Sequence, residues 1–393
     1  FMPCDYYGDV NPECIMSWGH NHSKSGHGGE NMFLLGDAIK RGSKLIVVDP
    51  RRTEIAEKAD LWLQVRPGAD AALALGMIDV IIREELYDKE FVEKWTYGFE
   101  ELKARTAEYP LKKVSEITWV PEEQIVAAAR MFSAARPGMM EWGLALEHTC
   151  NCIQAVRAVG IIPILTGNID VPGGWAEGMG LTVPPSKNLN RLPLEQQYKR
   201  LGFGEYKLLT ALDAPNPGSH IPTMLEAMKT GKPYPMKALL LFGNNGLLSI
   251  ADTKNTYEAY MANEFICCMD LFMTPSAELA DLVLPAASWM ELNEVIGYPA
   301  YSANTVLVQR EVVRTHECKS DEEFYCELSQ RLGLDWGAEK AEDVFNAQLK
   351  VTGERFPQYK GIDFEQMKEL NYISVPMTYR KYEKNGFKTK TGK

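Results

Sequence analysis

Over the first 175 residues, short unbroken apolar runs alternate with stretches of helical periodicity. Cys14-Ile-Met-Ser-Trp18, Lys44-Leu-Ile-Val-Val-Asp49 and Leu61-Trp-Leu-Gln-Val65 read as strands, the second β-branched and bounded by Gly42 and Pro50. Asn31–Arg41 predicts a helix, and the stretch beginning at Asp70 predicts a longer one ending at Arg83. Pro121-Glu-Glu opens a further helix, with proline first, acids in the opening turn, and Ile125, Ala128, Ala129 and Phe132 as its apolar stripe. Gly138–Trp142 then reads as a strand and Cys152–Leu165 as a helix. Strands that are apolar at every position are buried on both faces, which is the pattern of a parallel sheet covered by helices.

Between Gly173 and Pro235 the pattern dissolves into prolines, glycines and amides, crowded at Thr182–Asn190 and Asp213–Pro222. So long an irregular stretch in a compact protein marks a functional loop or a crossing between domains. The alternation returns with strands at Ala238–Phe242, Phe265–Met269 and Leu282–Leu284, and helices at Thr253–Ala262 and Asp321–Leu332. The predicted fold class is therefore α/β, with two doubly wound, Rossmann-like parallel-sheet domains facing a shared cofactor cleft. Residues 1–175 form the first domain and 176–393 the second, which opens with a long irregular loop over about 176–236. At roughly 100–200 residues per domain, 393 residues fit this division.

Composition narrows the function classes. An apolar fraction of 45% and a charged fraction of 24% describe a chain with a real core, not a disordered or collagen-like one. A net charge of −11 argues against nucleic-acid binding, which needs a basic surface. No apolar run is long enough to insert in a membrane, since those at 71–82 and 158–165 are short and broken by Asp79 and Pro163. The eight cysteines include no C-x-x-C pair, so no iron–sulfur cluster or zinc knuckle is expected on them, and Cys14, Cys267 and Cys268 read as core residues.

Candidate chemistry lies where strands end. Trp18-Gly19-His20-Asn21 and Phe242-Gly243-Asn244-Asn245-Gly246 share one design, an apolar strand followed by a turn of small and amide residues. Such turns at the carboxyl ends of parallel strands let backbone N–H groups approach a phosphate, although the same residues also make plain turns. Neighbouring strands end in Asp49, followed by Pro50-Arg51, and in Asp270. A carboxylate there accepts from ribose hydroxyls. Asp70, after Arg66-Pro-Gly68, has three compatible roles: ribose acceptor, acceptor for the N1–H and N2–H pair of a guanine, or cap of its helix. His20-x-His22-x4-His27 has the look of a metal site, but its Gly/Ser-rich loop offers no cysteine or carboxylate cluster beyond Glu30, so no metal is assigned to it. No G-x-S-x-G, H-E-x-x-H or P-loop motif occurs.

Longer motifs carry a resemblance. Lys44-Leu-Ile-Val-Val-Asp-Pro-Arg-Arg-Thr53, Val65-Arg-Pro-Gly-Ala-Asp70 with Leu73-Ala-Leu, Leu165-Thr-Gly-Asn168 with Pro172-Gly-Gly174, and Asp270-Leu-Phe-Met-Thr274 through Ala280-Asp281-Leu-Val-Leu-Pro285 resemble the molybdopterin oxidoreductases of the dimethyl sulfoxide reductase superfamily. The closing Asn385-Gly-Phe-Lys-Thr-Lys-Thr-Gly-Lys393 is similar to that family's junction into its last domain. The resemblance implies the central fragment of a catalytic subunit that holds molybdenum or tungsten between two molybdopterin guanine dinucleotides. One would be served by Gly19, Asn21, Asp49, Arg51, Gly68 and Asp70, the other by Gly243, Asn244, Asn245, Asp270, Thr274 and Asp281. Trp142, Gly143, Thr166 and Asn168 would face the metal. A 4Fe–4S cluster and the metal's protein ligand would precede Phe1. The implied partners are a small-molecule substrate and an iron–sulfur electron-transfer subunit.

Where the family's formate dehydrogenases carry Arg-Gly-Gln-Asn-Asn, this chain has Trp175-Ala-Glu-Gly-Met-Gly180, which favours a reductase or hydratase branch. The alternatives are a non-redox metal–pterin hydratase resembling acetylene hydratase, and a non-catalytic electron-transfer relative.

Overall fold

The computed structural model describes residues 4–6, 8–24, 28–176, 192–212, 214, 218–297, 305–335 and 337–393. His27 and residues 177–191, the middle of the expected irregular loop, lie outside the described residues. The chain divides into two compact units. The first holds the described residues within 4–176 together with Pro376–Lys393, and the second those within 192–297 with Thr305–Val375.

The first unit is built on a parallel sheet of β1 (Cys14–Trp18), β2 (Lys44–Val48), β3 (Leu61–Leu63) and β4 (Gly138–Trp142), in the order β3-β2-β1-β4. Alternate residues of each strand face opposite sides. Cys14, Met16, Trp18, Ile46 and Val48 enter one core with Leu73, Met77 and Ile81 of the helix Asp70–Arg83, Phe132 of the helix Glu122–Ala134 and Ile162 of the helix Cys152–Leu165. Ile15, Leu45, Val47 and Met139 enter a second core with Leu35 and Ala38 of the helix Gly28–Lys40. Each such side chain, fully buried, contributes roughly 1.5–3 kcal/mol, so the strands have no polar face to spare. This is the doubly wound arrangement expected from the unbroken apolar runs.

Residues 376–393, grouped by the sequence reading with the second domain, pack on the first unit. Tyr382 stacks on Phe387 at 4.9 Å and meets Trp95 edge-on at 5.0 Å. The Tyr379 hydroxyl donates to Asp5 Oδ2 at 2.7 Å, and Lys381 pairs with Asp170. Aromatic burial and these polar ties draw the segment back across the chain.

The second unit carries a parallel sheet of β5 (Ala238–Phe242), β6 (Phe265–Asp270) and β7 (Leu282–Pro285), in the order β5-β6-β7. Leu241, Ile266 and Cys268 pack with Leu225 of the helix Ile221–Thr230 and Tyr260 of the helix Thr253–Met261. A separate antiparallel sheet, which the sequence reading did not anticipate, consists of β8 (Glu294–Ile296), β9 (Thr305–Gln309) and β10 (Tyr372–Ser374) in the order β10-β9-β8. Among the described residues no helix is long and apolar enough to cross a membrane.

Candidate functional site

Parallel pairing puts the ends of β1, β2 and β4 level, because Trp18 stands opposite both Val48 and Trp142. The next residues continue the ladder. Gly19 N–H donates to Val48 O at 2.8 Å, Gly143 N–H to Trp18 O at 3.0 Å, and Asp49 N–H to Leu63 O at 3.2 Å. Gly19, Asn21, Asp49, Trp142 and Gly143 therefore gather at one carboxyl-end edge. A Cβ on Gly143 would stand 2.3 Å from Gly19 O, so only glycine permits the two tips to cross. Asp49 is buried and accepts from Arg51 N–H at 2.8 Å. Burial raises its carboxyl above the ordinary value, against the lowering effect of that N–H and of the Arg51 charge. Arg51 and Gly68 are exposed.

Asp70 does not cap its helix, the third of its expected roles. It is the first residue of its helix, whose cap position is Ala69, and its Oδ1 accepts from the buried indole Nε1 of Trp18 at 2.9 Å.

The second unit repeats the edge. Gly243 follows β5 in the left-handed region (φ +53°), as Gly19 follows β1 (φ +60°). Gly243 N–H donates to Met269 O at 3.1 Å, the counterpart of Gly19 to Val48. Asp270, which ends β6, accepts from Phe272 N–H at 3.3 Å, the counterpart of Asp49 and Arg51. Asn245 Oδ1 accepts from Ser276 Oγ at 2.9 Å, and Thr274 Oγ1 accepts from Ala277 N–H at 3.2 Å, so both order the turns around an exposed Asn244. Nothing lies within 4 Å of a Cβ built on Gly243, and its edge is open.

Three expected site residues stand elsewhere. Asp281 lies at the amino end of β7, where its Oδ2 accepts from Ile266 N–H at 2.7 Å. Asp60 does the same before β3, accepting from Leu45 N–H at 2.9 Å. Both acids brace the start of a neighbouring strand, at the opposite end from the Gly–Asp edge. Thr166 and Asn168 are buried below the β4 strand, where Asn168 Oδ1 accepts from Gly138 N–H at 2.9 Å and its Nδ2 donates to Thr166 Oγ1 at 2.8 Å.

The sequence singled out His20 and His22 but not the carboxylate that joins them. Glu141 of β4 stands opposite Ser17 of β1 and meets the histidines that follow it. His22 Nε2 and Glu141 Oε1 are 2.7 Å apart, the His20 and His22 rings lie 3.7 Å apart, and the Tyr6 hydroxyl donates to Glu141 Oε2 at 3.1 Å. Burial pushes the Glu141 carboxyl up, but the His22 and His20 imidazoles and the Tyr6 hydroxyl together hold it below the usual value. The cysteines behave as expected from sequence. Cys14, Cys267 and Cys268 are buried on strands, and desolvation raises all three thiols, Cys14 to about 12.

The pattern of the molybdopterin oxidoreductase family matches residues 9–331. This chain belongs to the molybdopterin oxidoreductase family. The match bears out the resemblance carried by the strand-end motifs, and membership implies a molybdenum or tungsten pterin cofactor. Acetylene hydratase of Syntrophotalea acetylenica is 38% identical to this family member over 97% of the chain and 54% of that protein. A formate dehydrogenase alpha subunit of Methanocaldococcus jannaschii is 33% identical over 84% of the chain and 49% of that protein. The solved structure of acetylene hydratase from Pelobacter acetylenicus superposes with a TM-score of 0.86 at 33% identity, covering 100% of this chain and 56% of that one. The chain thus spans about half the length of the curated relatives it matches. The named relatives include a dehydrogenase subunit and a hydratase.

Proposed function

We propose that this chain binds two molybdopterin guanine dinucleotides, one at each Gly–Asp edge, within a molybdenum or tungsten oxidoreductase catalytic subunit. The observation that carries the reading is the duplicated edge: a glycine with positive φ bonded to the strand beside it, and an aspartate whose carboxylate closes the next turn. Gly19, Asn21, Asp49, Arg51, Gly68, Asp70, Trp142 and Gly143 would serve one dinucleotide. Gly243, Asn244, Asn245, Asp270 and Thr274 would serve the other. Asp281, Thr166 and Asn168 position strands in this reading.

The residues present fit such a group. The open space over Gly243 and Gly68 leaves room for a phosphate group to approach the backbone of these turns. Asp49, buried with its carboxyl raised, is stabilised by any further donor, such as a ribose hydroxyl or a guanine N–H. When bound, the metal and pterin supply the oxygen-atom or electron transfer, while the protein binds and orients. Leu192, Gln196, Tyr198, Arg200, Thr223 and Tyr234 are among the residues that line an open cavity of about 1050 Å³, which suits them to shaping access of a small-molecule substrate. An iron–sulfur electron-transfer subunit completes the reading as a partner.

A second reading, hydration without net electron transfer, is favoured by the 38% identity to acetylene hydratase. Turnover of an alkyne in the absence of any electron acceptor would select it.

The test of dinucleotide binding uses Asp49→Ala and Asp270→Ala in cofactor-loaded protein carrying this chain. Acid-released guanosine monophosphate per metal should fall in each variant while circular dichroism is retained. An unchanged ratio in both variants would overturn the assignment.

A further inference from the structure

We propose that His20, His22 and Glu141 form a binding site for a divalent cation of the zinc type, separate from any metal carried by a pterin. The ligand atoms of these three side chains all lie within 4.8 Å of one another, and they are the cluster of this kind found among the described residues. Zinc-type ions hold nitrogen and oxygen donors at about 2.0–2.2 Å, so donors of one set must come within about 4 Å of each other. Binding an ion would draw the donors of this set together by up to about 1 Å.

Two further observations point to a ligand. The His22 side chain is fully buried, and Glu141 is 11% exposed. Yet both ring nitrogens of His22 and Glu141 Oε1 lack an aligned hydrogen bond, although Nε2 and Oε1 approach to 2.7 Å. Buried polar atoms left so are uncommon, and convergent lone pairs from two imidazoles and a carboxylate are the donor set that borderline cations prefer. The supports are also in place. Tyr6 donates to the second carboxylate oxygen, which fixes the orientation of Glu141 in the way that outer hydrogen bonds hold metal ligands. Main-chain pairing of β1 with β4 sets the spacing between the histidine turn and the carboxylate. Three protein ligands leave a fourth position open for water or a substrate atom, the arrangement of a reactive rather than a purely structural ion.

The test uses the tag-free 393-residue chain, freed of metal with a chelator and kept under thiol-free reductant, titrated with Zn²⁺ and with Co²⁺. The wild type should bind one equivalent of Zn²⁺ at least tenfold more tightly than His22→Gln or Glu141→Gln, each of which keeps all eight cysteines. The Co²⁺ complex should show visible bands of low-symmetry four- or five-coordination without the near-ultraviolet band of a thiolate ligand. His20→Gln, at the half-exposed position, serves as the comparison should a buried variant misfold by circular dichroism. Equal Zn²⁺ affinity in wild type and His20→Gln, or a thiolate band in the Co²⁺ spectrum, would overturn the proposal and leave the cluster as a proton-sharing pair.

Discussion

Replacing Asp70 by alanine removes the acceptor of a buried indole. Trp18 is fully buried at the end of β1, and its Nε1–H reaches Asp70 Oδ1 at 2.9 Å inside the core beneath the sheet. A hydrogen bond to a charged acceptor contributes about 1.5–3 kcal/mol, and a buried donor left unpaired costs about 1–3 kcal/mol. Asp70 itself is only 8% exposed, so water has little access to the orphaned indole. The expected loss is therefore about 2 kcal/mol. For a unit of this size, 1 kcal/mol corresponds to roughly 2–4 °C, giving a fall in Tm of about 4–8 °C. Asp70→Asn keeps an oxygen of nearly the same shape and loses the charge, so about half that fall is expected. Thermal unfolding followed by Trp fluorescence and circular dichroism reads both variants. A Tm for Asp70→Ala within about 1 °C of wild type would refute the reasoning, because it would mean the indole finds water or another acceptor at no cost.

Gly143→Ala places a methyl group against Gly19 O at 2.3 Å, so it should destabilise the first unit by about 3 kcal/mol or more, whereas Gly243→Ala enters open space and bears only the left-handed strain of about 1–2 kcal/mol; urea midpoints compare them. Glu291 accepts from Ser288 N–H and Oγ–H and from Thr315 N–H, which together with the Thr315 hydroxyl hold its carboxyl far below the usual range. A depressed folded value means its contribution is complete above the ordinary carboxylate pKa and lost as pH falls toward the folded one, so the advantage of wild type over Glu291→Gln should hold constant from pH 7 to about 5 and begin to shrink as urea midpoints are followed from there to pH 3.

The sequence made the parallel-sheet core legible because its strands are apolar on both faces and closed by Gly, Pro or Asp. The bounds of Gly138–Trp142, Cys152–Leu165 and Ala238–Phe242 agree with the structure residue for residue. Leu61–Val65 stops at Leu63, where Val65 N–H turns back to Leu63 O. Pro121 sits at the cap, one residue before the helix it was expected to begin. The antiparallel sheet was not legible, since its strands are three to five residues long, mix polar with apolar positions, and pair Tyr372 with a distant Leu307. The turn residues at the strand tips were readable from small and acidic residues after apolar runs. Glu141 was not, because within Gly-Met-Met-Glu-Trp it reads as an ordinary strand position, and only the pairing of β1 with β4 brings it to the histidines. The role of Asp281 was hidden too, although the repeat of Ala59-Asp60-Leu61 in Ala280-Asp281-Leu282 is the signal that could have shown it, since Asp60 braces its neighbouring strand in the same way.

The proposed function places a guanine dinucleotide at each of the two edges. Its most direct measurement is the ratio of acid-released guanosine monophosphate to molybdenum plus tungsten in cofactor-loaded protein carrying this chain. Two nucleotides per metal ion are expected, one from each Gly–Asp edge. A ratio of one or zero at full metal loading would contradict the account, for it would leave at least one of the duplicated edges without the ligand its geometry was read to fit.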